Sequence, residues 1–176
     1  YAEAGVVRLA HTLGQLLTLA RVEGRMRFDD GEPSEVAQVV ELAVADSAAA
    51  QGQCQWPEVL PQVYLAMPRE LAITALRNLV DNALHHGPRG APITLMAEQT
   101  HSDITFTVHD QGPGVDEETL AQLTQRFWRA SKQQGSGLGL AIVAAIAERF
   151  GGDVRFENAK AGGFYAHLTI PTVSPL

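Results

Sequence analysis

Between residues 3 and 23, apolar side chains recur at Val6, Leu9, Leu13, Leu16 and Ala20, with Leu17 beside them. This alternating spacing of three and four predicts a helix with one apolar seam, which a lone helix cannot bury by itself. The stretch 23–33 then mixes charged pairs with glycines and Pro33, a linker composition that sets a domain boundary near Gly31. Ser34 predicts an N-cap for a helix carrying Val36, Val39, Val40, Ala43 and Val44 and ending around Gly52. Short strand-like pieces follow at 53–56 and 63–66. Pro68, at a first helical position, predicts a helix to about His86 with Leu71, Ala75, Leu76, Leu79, Val80 and Ala83 inward; Gly87-Pro88 stops it.

Two alternating runs, 93–99 and 104–109, read as an antiparallel hairpin. A glycine-rich turn (110–114), a short acid-capped helix (116–125), a polar loop (130–136), a helix (138–150) and two strands (153–157, 164–170) complete the order. Helices alternating with hairpins predict an α/β (α+β) two-layer sandwich: a mixed sheet with helices on one face, preceded by an isolated amphipathic helix. A doubly wound parallel sheet fits this order less well.

Length and composition narrow the reading further. The 176 residues suit one core plus a short appendage, and 45% hydrophobic against 19% charged residues excludes disorder. Twenty acidic against 13 basic residues leave a net charge of −7, which disfavours nucleic acid and anionic lipid as partners. Any anion must therefore be held by a local device such as backbone N–H groups or a helix N-terminus. Cys54 is the single cysteine, so no internal disulfide or cysteine zinc cluster is expected. With no apolar run of membrane-spanning length and no signal-peptide plan, the expectation is a soluble, cytosolic piece that does not itself insert in a membrane.

Three motifs carry candidate chemistry. In Arg77-Asn-Leu-Val-Asp-Asn-Ala-Leu-His-His86, Asn78 and Asn82 share a helix face one turn apart, and Asp81 and His85 share the neighbouring surface. Two amide oxygens so placed can co-ligate Mg²⁺; taken alone, the pair is equally a capping or solvated face. In Asp110-Gln-Gly-Pro-Gly-Val115 an acid at a strand end is followed by two glycines, which is either a tight turn or an acceptor for a ligand amine. Gly135-Ser-Gly-Leu-Gly-Leu140 places three glycines before an apolar helix, which suits an anion, a hinge or close helix packing. It matches neither the Walker nor the dinucleotide pattern.

Together, Asn78-Leu-Val-Asp-Asn82-Ala, Asp110-Gln-Gly112-Pro-Gly114, Arg126-Phe127-Trp-Arg129 and Gly135-Ser-Gly137-Leu-Gly139-Leu140 resemble, in order, the N, G1, F and G2 boxes of bacterial sensor histidine kinases. The catalytic domain of those kinases has the Bergerat ATP-binding fold of the GHKL superfamily. Residues 8–21 resemble the second helix of the kinase dimerisation domain, so the resemblance implies residues 1–31 as dimerisation helix plus linker and 32–176 as the catalytic ATP-binding domain.

The resemblance implies that Asn82 coordinates Mg²⁺ with Asn78 assisting, and that Asp110 reads adenine. Gly112, Gly114, Val115, Gly135, Gly137 and Gly139 would shape the adenine and phosphate sites, with Leu138 and Leu140 walling the nucleotide or anchoring the helix. Arg129 and Arg126 would compensate phosphoryl charge, with Lys132 the one cation of a short lid, while Phe127 and Trp128 would pack that loop onto the body. His85 and His86 stand where the family often has a basic residue and an aromatic; with an ordinary histidine pKa near 6.5, charge there is not assured at neutral pH.

Superfamily members that hydrolyse ATP carry a glutamate where Asn78 stands. An amide cannot act as a general base, so Asn78 implies phosphoryl transfer to a protein histidine over hydrolysis. No acceptor box of the family's kind occurs in this chain. His11, flanked by Ala10 and Thr12 without an acidic neighbour, reads as surface or seam packing. The expected whole is a protein-histidine kinase that relays phosphate to a response-regulator aspartate and self-associates through its dimerisation helix, its parent anchored in the bacterial inner membrane. The competing reading is a degenerate, anti-sigma-like protein-interaction module.

Overall fold

The computed structural model describes residues 2–24, 26–28, 34–45, 47, 52–126 and 136–173. Its elements run α1 (Ala2–Glu23), β1 (Ser34–Glu35), α2 (Val36–Ala45), β2 (Cys54–Gln55), β3 (Tyr64–Leu65), α3 (Arg69–His86), β4 (Ile93–Gln99), β5 (Asp103–Asp110), α4 (Glu117–Gln122), α5 (Gly139–Arg149), β6 (Asp153–Asn158) and β7 (Phe164–Val173). The strands form one mixed sheet in the order β1-β3-β7-β5-β4-β2, and β6 also pairs with β7. Only β2 and β4 pair in parallel among the described residues.

Strand alternation produces the layering. On β5, Ile104, Phe106 and Val108 are buried while Thr105, Thr107 and His109 are half-buried on the opposite face. Leu168 and Ile170 of β7 line up beside them in register with Phe106 and Ile104. Against this row pack Leu76 and Leu79 of α3 and Ile142 and Ile146 of α5, so the helices cover one face of the sheet. The other face is polar: Thr105 and Thr169 share a hydrogen bond of 3.0 Å, as do Thr107 and His167.

Two expectations are corrected. Ser34 does not cap α2: it pairs with Leu65 in a two-residue strand, and its hydroxyl, buried, donates to the Met67 carbonyl at 2.5 Å. α2 begins only at Val36 and stops at Ala45, well short of Gly52. The boundary near Gly31 lies outside the described residues.

α1 holds the other surprise. Within this chain it packs inward through Leu19 and Val22, which lie outside the predicted seam, and through Leu16, which belongs to it and is half-buried, while Val6, Leu9, Leu13 and Leu17 remain exposed. Arg149, the last residue of α5, fastens the end of α1: its guanidinium donates to the carbonyls of Arg21 (3.2 Å), Val22 (3.0 Å) and Met26 (2.6 Å). The first two are carbonyls that a helix C-terminus leaves without intrahelical donors, and the third lies just past the helix end. Arg149 and Arg21 also stand 4.8 and 4.7 Å from the ring centre of buried Phe28.

Leu76 has no exposed surface and sits where α3 meets the sheet. Truncating it leaves a cavity that close-packed neighbours fill only in part. Leu76→Ala is expected to lower the unfolding free energy by about 2–5 kcal/mol, read as a lower urea midpoint at unchanged slope.

Candidate functional site

The alternation that carries Ile104, Phe106 and Val108 inward does not stop at the apolar residues; its last inward position is Asp110, 2% exposed. Burial pushes this carboxyl above its ordinary range, opposed by the Gly112 N–H and by the nearby His86 and His109. The Gly112 N–H donates to Asp110 Oδ1 at 2.7 Å, closing an Asx-type turn. Gly112 has no room for a side chain: a Cβ there would stand 2.7 Å from Asp110 Oδ1 and 2.7 Å from the His86 carbonyl. A glycine is thus what allows the end of α3 to abut the end of β5.

α3 presents the two asparagines to the same region. Asn78 and Asn82 are half-buried, one turn apart. The Asn78 Nδ2 donates to the Thr74 carbonyl at 2.8 Å, and its Oδ1 is directed at α5, where a Cβ on Gly139 would lie 2.9 Å away. The N-box helix and the glycine-rich helix start therefore meet at an amide oxygen. Gly137 takes φ of +74°, the left-handed region in which glycine is favoured. The Leu138 N–H donates to Ser136 Oγ at 3.2 Å and its side chain is fully buried, so Leu138 offers a ligand no side-chain surface. Leu140, half-buried, also packs on the core.

At the end of α3, His85 and His86 are solvent-accessible. The His86 imidazole is held below its ordinary pKa by loss of hydration first and by His85 second, against the pull of Asp110, so it is predominantly neutral at pH 7. It offers a ring face and a hydrogen bond there, not a cation. Asp81 is occupied on the far side by the Ser47 hydroxyl at 2.6 Å. Arg126 pairs with Glu23 of α1. Phe127, Trp128, Arg129, Lys132 and Gly135 lie outside the described residues. His11 is exposed on α1. Burial pushes the Cys54 thiol up to about 11, which leaves it protonated and inert at neutral pH.

Among the described residues no three His, Cys, Asp or Glu side chains cluster as a metal centre. The amide oxygens of Asn78 and Asn82 are hard donors and fit a cation that keeps waters and shares phosphate oxygens, as Mg²⁺ does. A cleft of about 100 Å³ opens beside Asp110 and Gln111, walled by Ala83, Gly87 and Ile93. It includes neither asparagine, so it reports on the Asp110 end of the site alone.

Two contributors escaped the sequence reading. Asn158 at the end of β6 hydrogen-bonds Val115 twice, and Gly163 packs so closely on the end of β5 that a Cβ would meet the Asp110 carbonyl and the His109 ring. The Gly162-Gly163 pair was the one visible signal for the latter.

The family described as "Histidine kinase-, DNA gyrase B-, and HSP90-like ATPase" matches residues 68–174. The sensor-like histidine kinase SenX3 of Mycolicibacterium smegmatis is 31% identical over 172 residues, 93% of this chain and 45% of that protein. The sensor protein QseC of Escherichia coli K12 is 34% identical over 174 residues, 94% of this chain and 37% of that protein. The chain thus spans less than half the length of either relative. In fold, the histidine kinase AdeS of Acinetobacter baumannii superposes with a TM-score of 0.75 at 24% identity, covering 96% of this chain and 81% of that one.

Because burial raises the Asp110 carboxyl above its ordinary 3.8, ionising it opposes folding. Its favourable contribution is complete below that ordinary value and is lost as pH rises through the folded-state pKa. Asp110→Asn keeps an oxygen for the Gly112 N–H without the charge. The variant is expected to melt higher than the parent chain at pH 7, with the gap closing as pH falls toward 4, measured by thermal unfolding across that range.

Proposed function

Since the chain belongs to the family of histidine kinase-, DNA gyrase B- and HSP90-like ATPases, we propose that it is the ATP-binding catalytic portion of a sensor histidine kinase, with Asp110 reading adenine and the asparagine pair serving Mg²⁺ and the phosphates. The observation that carries this reading is the buried, glycine-flanked carboxylate of Asp110; the Asn78 oxygen facing the start of α5 supports it from the other end of the site. A carboxylate kept from water discriminates an amine donor strongly, because an unmatched ligand leaves it without a partner.

In this proposal the adenine amino group donates to Asp110, and His86 lies against the base. Gly112 and Gly114 let the base approach the backbone. Asn82 and Asn78 supply oxygens to the cation, and the N–H groups at Gly137 and Gly139, with Gly135, receive the phosphates at the positive end of α5. Arg129 and Lys132 complete the charge compensation. Mg²⁺, when bound, draws charge from the β- and γ-phosphate oxygens.

Transfer breaks the bond between the γ-phosphorus and its bridging oxygen and forms a phosphorus–nitrogen bond to an acceptor imidazole, with ADP leaving. Asn78 supports transfer over hydrolysis, since an amide takes no proton from water. An acceptor histidine on another helix of the dimerisation domain and a response-regulator aspartate downstream belong to the same proposal. So do residues 1–31 as dimerisation helix and linker, the catalytic domain from 32 onward, and the open seam of α1 as a self-association face. No described helix is long and apolar enough to cross a membrane, and membrane anchorage of the parent protein is likewise part of the proposal.

Calorimetric titration with ADP tests the core of it. Binding is expected to weaken at least about tenfold in Asp110→Ala, where a charged-group hydrogen bond worth roughly 1.5–3 kcal/mol is lost, and to weaken in Asn82→Ala only when Mg²⁺ is present. A folded chain that binds neither ADP nor ATP would give precedence to the protein-interaction reading. Separately, sedimentation should show association that grows with concentration and falls on Leu13→Glu; a monomer at all concentrations would remove the self-association face.

A further inference from the structure

Resting on the nucleotide-site reading above, we propose that Asn158 is a positioning residue for the adenine end of the site, acting as a side-chain clamp on the turn that follows Asp110. Its Oδ1 accepts from the Val115 N–H at 2.9 Å and its Nδ2 donates to the Val115 carbonyl at 2.7 Å, so one amide satisfies both backbone groups of a residue 43 positions away. This is the exchange that two paired strands make, performed here by a side chain where the sheet has ended. The amide sits close against Gly114, whose φ is +72°. A Cβ at Gly114 would collide with Asn158 Oδ1, so the glycine serves the clamp as well as the turn.

The clamp is one arm of a bracket. The β6–β7 hairpin begins at Asn158 and closes through the Ala159 N–H to the Gly163 carbonyl at 3.0 Å. Gly163, at φ of +107°, then presses on the carbonyl of Asp110, next to the position where Asp110 pairs with Phe164. The hairpin therefore holds both ends of the segment 110–115: the Asp110 end through Gly163 and β7, the Val115 end through Asn158. Between these ends the segment has one internal restraint, the Gly112 N–H bond to Asp110. The Val115 end of this turn, with Gly114, is therefore held from outside by Asn158, while Gly163 and β7 hold the Asp110 end.

Losing the clamp frees the turn to sample other conformations, and binding must then select the competent one, which lowers apparent affinity by the populated fraction. The two bonds lie near the surface, so their loss should leave the core intact. In the test, Asn158→Ala and Asn158→Asp are compared with the parent chain by ADP titration, thermal melting without nucleotide, and amide hydrogen exchange over residues 110–116. Asn158→Ala is expected to weaken ADP binding about tenfold, the worth of about 1.4 kcal/mol. Exchange at Gly114 and Val115 should speed up and the melting midpoint should move little. Asn158→Asp, which keeps the acceptor for Val115 N–H and loses the donor, should fall between the two.

Parent-like affinity and exchange in Asn158→Ala would overturn the proposal. So would affinity loss only in step with a large fall in melting midpoint, since that is a purely structural role. If Asn158→Ala does not fold, the Asp variant decides on the same readouts. Failure of the parent chain to bind ADP would instead overturn the nucleotide reading, whereas the exchange of Val115 still reports on the clamp.

Discussion

A carboxylate held in the layer between sheet and helices is the constraint around which the rest of this structure is arranged. Asp110 reaches that position for no chemical reason of its own; it is the next even-numbered residue on a strand whose even positions are apolar. Once there, it loses water and must be surrounded by groups that tolerate it. Its neighbours are small and backbone-rich: Gly87, whose Cβ would lie 3.5 Å from the Asp110 Cβ, and Gly112 and Gly163, where none would fit. Three chain segments can therefore close on one acid. Each contributes backbone in place of side chain, and the acid is left facing whatever ligand the cleft admits.

The elements most legible in the sequence were those whose burial is complete along a whole side. The seven buried residues of α3 include all six that periodicity assigned inward, and Gly87-Pro88 ends the helix as expected. β4 and β5 were read to within a residue because alternation is a short-range signal that the fold obeys wherever one face is covered. The N-cap reading of Ser34 failed because a two-residue strand has no periodicity to detect, and its partners, Leu65 and Met67, come some thirty positions later. For α1 the seam was visible, but of the residues that pack inward only Leu16 belongs to it: Leu19 and Val22 are chosen by a surface that includes residues 139–149.

The site divides the same way. Asn78, Asn82, Asp110 and the glycines stood out as candidates because their spacing is local and the glycine positions are restricted by close approach or by backbone angle. Asn158 was not, since its role depends on a hairpin folding back on the turn, and a lone asparagine at a strand end has many ordinary explanations. Leu138 shows the limit from the other side: its place within the glycine box left open a wall for the nucleotide or an anchor for the helix, and its side chain lies wholly in the core.

Arg149 joins two elements that sequence distance keeps apart, and the joint is stiff. Three carbonyls around the end of α1 converge on one planar guanidinium at the last residue of α5. A planar fork holding three acceptors resists twisting far better than a single bond does. Any roll of α1 about its long axis that preserves this joint must turn α5 as well. The first turn of α5 stands opposite the Asn78 oxygen. One arginine thus couples the end of α1, along the eleven residues of α5, to the glycine-rich start of that helix.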